Sequence, residues 1–364
     1  LLGSFVLEGA ALAWRTGVTY DEPAYLASGF VYWTQGLGFL IRESPPLIDY
    51  LRGIPIMLLR PAPARAPGPE NMVVSPHGYG QLFLFRNRVP ARHLLLAGRG
   101  VSLGLAILLG VVLWRWGVIM GGSWAGLAAL FFYAFEANLL AHASLATKDI
   151  GVTAFAVMAL ASWAFYLSRG TMIWSVAAGI SLGATIASKT TGLGLWPAMG
   201  LALIWHRFSQ GKVTGRLKKD AAALAIATVL AAAVVLAVYG PSEIYRFFDM
   251  MVYYQRFMLS PMHTYLFGKA YYEGHPLYFP AVILVKTSVP LLVLTLYAFL
   301  SPGLLKKHPA HWPVLVGGCL VLLSFALLVK HQVGVRHILI LYALFCLAAG
   351  VGACELWERK PGMR

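Results

Sequence analysis

The 364-residue chain is 59% hydrophobic and only 12% charged, with a formal net charge of +15. Soluble chains carry about 25% charged residues, so the composition argues against soluble domains and for a membrane protein. In that setting the basic excess reads as lipid anchoring and topology signal, and nucleic-acid binding is set aside.

A spanning helix needs roughly 20 apolar residues. Ten segments approach that length: 1–14, 100–117, 122–140, 150–167, 172–188, 190–206, 221–240, 278–300, 311–329 and 334–354. The first is too short alone, and the chain starts with Leu, so 1–14 reads as part of a first span with residues missing upstream. Residues 15–99 form a long connecting loop. Within it "SPPLIDYLRGIPIMLLR" (44–60) has Pro near a helix start and apolar residues at helical spacing, which predicts a helix lying in the membrane interface. "PAPARAPGP" (61–69) is a stiff linker. Residues 100–354 read as the helix bundle, interrupted by the Tyr-rich loop 241–277, and 355–364 as a cytoplasmic tail. Cys319, Cys346 and Cys354 all fall in apolar spans and suggest neither disulfides nor a zinc site.

Short loops rich in Lys and Arg stay cytoplasmic. "HRFSQGKVTGRLKKD" (206–220), "GLLKKHP" (303–309) and "ERKPGMR" (358–364) set the inside. Alternation then places 15–99, 141–149, the turn near 189, 241–277 and 330–336 outside. The nine basic residues from Arg15 to Arg99 do not overturn this, because long loops translocate largely regardless of charge.

Charged groups in or beside a bilayer core are costly and mark function by default. Asp21, Glu22, Glu43, His142, Lys148, Asp149, Lys189, Arg336 and His337 all map to the outer ends of spans, which points to one outward-facing site. Each also has a plain reading. Asp21 can cap the helix that follows it, with Pro23 in its first turn. Glu43 can pair with Arg42, and Lys148 with Asp149. Lys189 can snorkel to headgroups, and Arg336–His337 can anchor at the interface. If 141–155 is one helix, His142 and Asp149 lie two turns apart on the same face. The 241–277 loop reads either as an aromatic belt or as a platform for a sugar or lipid phosphate, with Lys269 among its cations.

Taken in order, these motifs resemble the GT-C glycosyltransferases of the protein O-mannosyltransferase and lipid A aminoarabinose transferase type. "TYDEPAYLASG" resembles the family's acidic motif in the first external loop. "RESPPLIDYL" resembles its Glu-His-Pro-Pro-Leu stretch, and "NLLAHASLATKDIGVTAF" the stretch carrying a further Asp. "SKTTGL", "GHPLYFPAVILVKTSVPLLVL" and "VGVRHILILYAL" resemble later landmarks. The resemblance implies an all-α polytopic membrane protein of about ten to eleven spans with interfacial helices in the first loop. It implies an inverting sugar transfer from a polyprenyl-phosphate donor to a protein, lipid or glycan hydroxyl. The expected place is the outer face of a bacterial inner membrane. Asp21 is then the general base, with Glu22 and Asp149 as catalytic neighbours. Arg336, His337, Lys189, Lys269 and His142 would bind the donor phosphate, and Glu43 would hold a divalent cation if one is used. Expected partners are membrane lipids, the donor, the acceptor and membrane-complex subunits. Ser44 stands where the family has His, and this motivates a second reading: a non-catalytic family member acting as a subunit of a larger complex. A lipid-linked sugar transporter ranks last, since the inner halves of the spans carry few ionisable residues.

Overall fold

The computed structural model describes residues 1–36, 41, 44–63, 75–211 and 216–359. In chain order the helices are α1 (Leu2–Arg15), α2 (Glu22–Thr34), α3 (Leu47–Leu58), α4 (Pro76–Phe85), α5 (Ala91–Ala134), α6 (Ala137–Ala143), α7 (Asp149–Arg169), α8 (Met172–Ile186), α9 (Leu195–Ser209), α10 (Leu217–Tyr239) and α11 (Tyr245–Leu259). A short antiparallel hairpin follows, β1 (Thr264–Leu266) and β2 (Lys269–Tyr271). The chain continues through α12 (Tyr278–Lys286), α13 (Val289–Leu300), α14 (Pro302–Lys307), α15 (His311–Leu328) and α16 (Leu339–Glu358).

The molecule is an all-α integral membrane protein. Five described helices, α5, α7, α10, α15 and α16, are long and apolar enough to cross a bilayer. These helices leave the count of ten spans unconfirmed, and some segments differ from straight spans. The stretch 278–300 is two helices, α12 and α13, bent by 118° to one another. Pro290 explains the break: it has no N–H to donate to the Lys286 carbonyl four residues back and its ring would clash there, so α12 ends at Lys286, Thr287 and Ser288 are extended, and Pro290 falls in the first turn of α13. α8 and α9 have 15 residues each, with a 3₁₀ turn at Thr190–Gly194 between them. The segments 100–117 and 122–140 remain distinct: the backbone of α5 leaves helical geometry at Gly121 and Gly122, where Gly122 adopts φ +77°, and Gly117 packs against Gly126 across that turn.

α7 and α16 are buried almost throughout and form the centre of the bundle, while α10 lies at its edge. Both central helices use small residues to let neighbours approach closely, as bilayer-embedded helices do. Gly350 of α16, for example, sits against the backbone of Ala129 in α5. In the first loop α3 packs across α2 at Gly29 and Gly53. A Cβ on Gly53 would overlap the Gly29 carbonyl and the Trp33 ring. The helix expected within 44–60 is present as α3, and one face of it is buried in protein. Asp49 and Arg52 on that face are fully buried. Lys148 at the start of α7 donates to Pro45 O at 2.7 Å and pairs with Asp49 at 2.6 Å, not with its neighbour Asp149.

The segment that leads into α16 is tied to the 241–277 loop. Lys330 and His331 donate their backbone N–H groups to Met258 O, and the Gln332 amide exchanges two hydrogen bonds with the His275 backbone. The approach to Arg336 is therefore fixed by partners far away in sequence. At the opposite end of the bundle, Arg207 makes a bidentate pair with Asp220 at 2.7 Å, and Tyr166 donates to the same carboxylate.

Candidate active site

The acidic pair at the start of α2 splits into two different environments. Asp21 occupies the N-cap position of α2 but makes no capping hydrogen bond. Its Oδ2 instead accepts from Arg336 Nη1 at 2.7 Å. Its Oδ1 lies 3.7 Å from His77 Nε2 of α4, and the side chain stays 25% exposed. The Tyr20 ring stacks on His77 with centroids 4.4 Å apart. Glu22 turns inward and is fully buried. It accepts four hydrogen bonds at 2.8 Å, from Arg99 Nε and Nη2 and from the backbone N–H groups of Ala146 and Thr19. Burial alone would raise the Glu22 carboxyl, but Arg99 and the two N–H groups outweigh it and hold it below its ordinary range.

Arg336 lies in a 3₁₀ turn, Val335–His337, just before α16. Gly334, with φ +86°, makes the sharp turn that aims it, a conformation open to glycine at little steric cost. Besides Asp21, its Nε is 3.5 Å from Asp149 Oδ2. Burial works against the Arg336 charge, yet the Asp149 and Asp21 carboxylates hold the guanidinium above its ordinary value. Asp149, the first residue of α7, has only 1% of its side chain exposed and also pairs with Lys189 Nζ at 2.7 Å. Lys189 comes from the α8–α9 turn, which is braced by the Leu47 N–H donating to Ala187 O. His142 Nδ1 is 3.9 Å from Asp149 Oδ2. The 141–155 stretch is not one helix: α6 ends at Ala143 and α7 begins at Asp149, so the two residues meet across a turn.

The result is a continuous chain of charges, Asp21–Arg336–Asp149–Lys189, drawn from four separate parts of the sequence. Two carboxylates and two cations balance. Burial, followed by the charge of Lys189, holds His337 well below its ordinary value. Burial likewise lowers His142, against the nearby Asp149 carboxylate, and His331, which favours the neutral form of these rings. Asp149 Oδ2, Arg336 Nε, His142 Nδ1 and His331 Nδ1 are buried and make no hydrogen bond among the described residues. Buried polar atoms are normally satisfied, so this cluster has hydrogen-bonding capacity to offer a polar ligand.

Of the residues expected at the site, Asp21, Asp149, Arg336, Lys189 and His142 come together. His337 adjoins Lys189. Glu22 sits beside them but faces Arg99. Lys269 is exposed on β2 and makes no ion pair among the described residues. Glu43 lies outside the described residues. No group of three His, Cys, Asp or Glu side chains among the described residues is arranged to hold a metal ion. Sequence reading missed His77, Tyr20 and Arg99. Arg99 carried a signal, since it stands directly before an apolar run. His77 carried none.

No protein-family model matches the sequence, and no curated protein matches it significantly. Solved structures do. ArnT from Cupriavidus metallidurans in the apo state is 15% identical with TM-score 0.61, covering 99% of this chain and 58% of that one. The same protein bound to undecaprenyl phosphate is 15% identical with TM-score 0.56, covering 98% of this chain and 60% of that one. The oligosaccharyltransferase AglB from Archaeoglobus fulgidus, in complex with an inhibitory peptide and a dolichol-phosphate, is 12% identical with TM-score 0.61, covering 98% and 50%. The chain thus spans half to three-fifths of the length of these proteins. The fold is the GT-C fold.

Proposed function

We propose that the chain is a membrane glycosyltransferase. It moves a sugar from a polyprenyl-phosphate donor to a hydroxyl acceptor on a protein, lipid or glycan, at the outer face of a bacterial inner membrane. The observation that carries this reading is the Asp21–Arg336–Asp149–Lys189 chain of charges set on a GT-C fold. The phosphate-bearing lipid carriers in the structures of ArnT and AglB support the donor class.

Asp21 is the more open carboxylate and takes the role of base. Asp149 is enclosed and holds Arg336 and Lys189 in place. Arginine has five donors in a planar fork and suits phosphate oxygens. When the donor phosphate engages Arg336, the Nη1 contact to Asp21 Oδ2 is given up and that oxygen becomes free. The acceptor O–H then passes its proton to Asp21 while its oxygen attacks the anomeric carbon from the side opposite the phosphate. The sugar–phosphate C–O bond breaks, and the polyprenyl phosphate departs with the electron pair, inverting the anomeric centre. Phosphate is a weak base, so one carboxylate suffices, unlike the acid–base pair of a glycosidase. Arg336 and Lys189 stabilise the charge that develops on the leaving group. Neutral His142 and His337 add hydrogen bonds. Glu22 has a structural role beside the base, fastening the start of α2 to Arg99 and Ala146. Lys269 joins the donor only if the hairpin moves toward the cluster, and Glu43 is kept as a ligand for a divalent cation.

The test is Asp21→Asn in purified protein, with transfer measured from a polyprenyl-phosphate sugar. A general base is worth about 10²–10⁴-fold, so transfer falls by that factor while donor binding persists. Turnover close to wild type removes Asp21 as base. Loss of donor binding in the unsubstituted protein would favour the non-catalytic reading.

A further inference from the structure

Away from the charge chain, the end of α1 and the start of α5 flank an open cleft of about 470 Å³, lined by Trp14, Arg15, Thr16, Val18, Arg92 and Leu95 among others. Pockets of roughly 300–1,000 Å³ accommodate small-molecule ligands. The Arg92 guanidinium stacks 3.5 Å from the centroid of the Trp14 ring, and its Nη2 donates to Trp14 O at 3.2 Å. Among the described residues, Arg15 makes no polar contact, and neither arginine has a carboxylate in ion-pair range. Arg99 is the contrast. It lies along the same helix as Arg92 and is matched by Glu22. Its remaining donors hold the carbonyls of Ala13, Thr16 and Gly17, so the cleft wall is braced from behind.

Two exposed arginines with no counter-charge among the described residues therefore line an open cleft where the ends of two apolar helices, α1 and α5, meet. On α1, Leu7 (73% exposed) and Trp14 (57% exposed) face outward one above the other, seven residues apart. That is an apolar strip for an acyl chain ending in an interfacial aromatic residue. We propose that this cleft binds the phosphate of an anionic glycerophospholipid, with Arg15 and Arg92 as its two cations and the lipid chains lying along α1. The phosphodiester supplies the missing negative charge. A choline headgroup would bring a cation against two arginines and is disfavoured, whereas a glycerol headgroup is not. The site is separate from the donor phosphate cluster, and it stands whether or not the chain transfers sugar.

The experiment is native mass spectrometry of the delipidated full chain, titrated in detergent with phosphatidylglycerol or phosphatidylcholine. One phosphatidylglycerol is retained with about tenfold preference, since two exposed arginines hold an anion only weakly against solvent screening. Arg15→Gln with Arg92→Gln lowers that to the phosphatidylcholine level. The charge-matched control Arg86→Gln with Arg256→Gln leaves it unchanged. Arg92 holds the Trp14 carbonyl, so Arg15→Gln alone, which breaks no described polar contact, keeps the test valid if the double variant fails to fold. It loses part of the preference. The proposal is overturned if wild type shows no preference, if the control pair loses as much as the cleft pair, or if excess inorganic phosphate displaces the lipid and so identifies a free anion as the ligand.

Discussion

Replacing Glu22 by Gln separates the two halves of the Asp21–Glu22 pair. Wild-type Glu22 accepts four hydrogen bonds at 2.8 Å, two from Arg99 and two from backbone N–H groups. Gln keeps the shape but brings an NH₂ donor against groups that are all donors. Arg99, fully buried, loses its countercharge but keeps the carbonyls of Ala13, Thr16 and Gly17. Removing one partner of a buried pair costs about 3–5 kcal/mol, and the retained carbonyls place this case near 3 kcal/mol. For a chain of this size that corresponds to a loss of about 6 °C, at roughly 2 °C per kcal/mol. Tryptophan-fluorescence melts in detergent measure it. Transfer per folded molecule should stay within about threefold of wild type, because Glu22 makes no contact with the charge chain. Asp21→Asn should do the reverse, with little change in melting and loss of turnover. Glu22→Leu combined with Arg99→Met should recover much of the stability, as apolar replacements of buried ion pairs do. The acid limb has a definite sign. Glu22 is held below its ordinary value of 4.5 in the folded state. Its contribution is therefore present above about pH 4.5 and lost as pH falls through the folded-state value. Glu22→Gln should lack that acid-dependent loss. The reasoning fails if Glu22→Gln melts within about 1 °C of wild type, or if it abolishes turnover per folded molecule while Asp21→Asn does not.

Arg336→Lys keeps one charge but cannot reach both Asp21 and Asp149 as a planar fork does. Donor kcat/KM should fall at least about tenfold, with melting nearly unchanged. His77→Asn tests whether the ring beside Asp21 carries the proton away to water. One step removed from the base, it should lower kcat by roughly tenfold, less than loss of the base itself. Donor affinity should stay the same, and added imidazole should restore part of the rate. Gly53→Ala places a methyl against the Gly29 carbonyl and the Trp33 ring. Overpacking of this kind costs about 1–3 kcal/mol, and the melting temperature should drop accordingly, whereas Gly100→Ala, with open space around it, should be silent.

Much was legible in the chain itself. Apolar runs and loop charge made a polytopic helical protein evident, and they put the unexplained polar residues at one end of it. Family resemblance singled out Asp21, Asp149 and Arg336. Local pattern failed where chain breaks depend on packing. His142 and Asp149 look like one helical face, yet a turn separates them. The 278–300 run looks like a single span, yet Pro290 bends it.

Hydropathy, spacing and charge are properties of neighbours in sequence, so the sequence by itself determined the fold class, the candidate outer face and the residues worth suspecting. Partner choice was beyond it. Asp21 meets Arg336 across 315 positions, and Glu22 meets Arg99 across 77. Two adjacent carboxylates read alike in a sequence. Only the crossing of α1, α2, α5 and the turn before α16 decides that one is sealed against a buried arginine and the other left open beside a cation. A carboxylate's chemistry is set by which charges and donors surround it, and that is decided where helices cross.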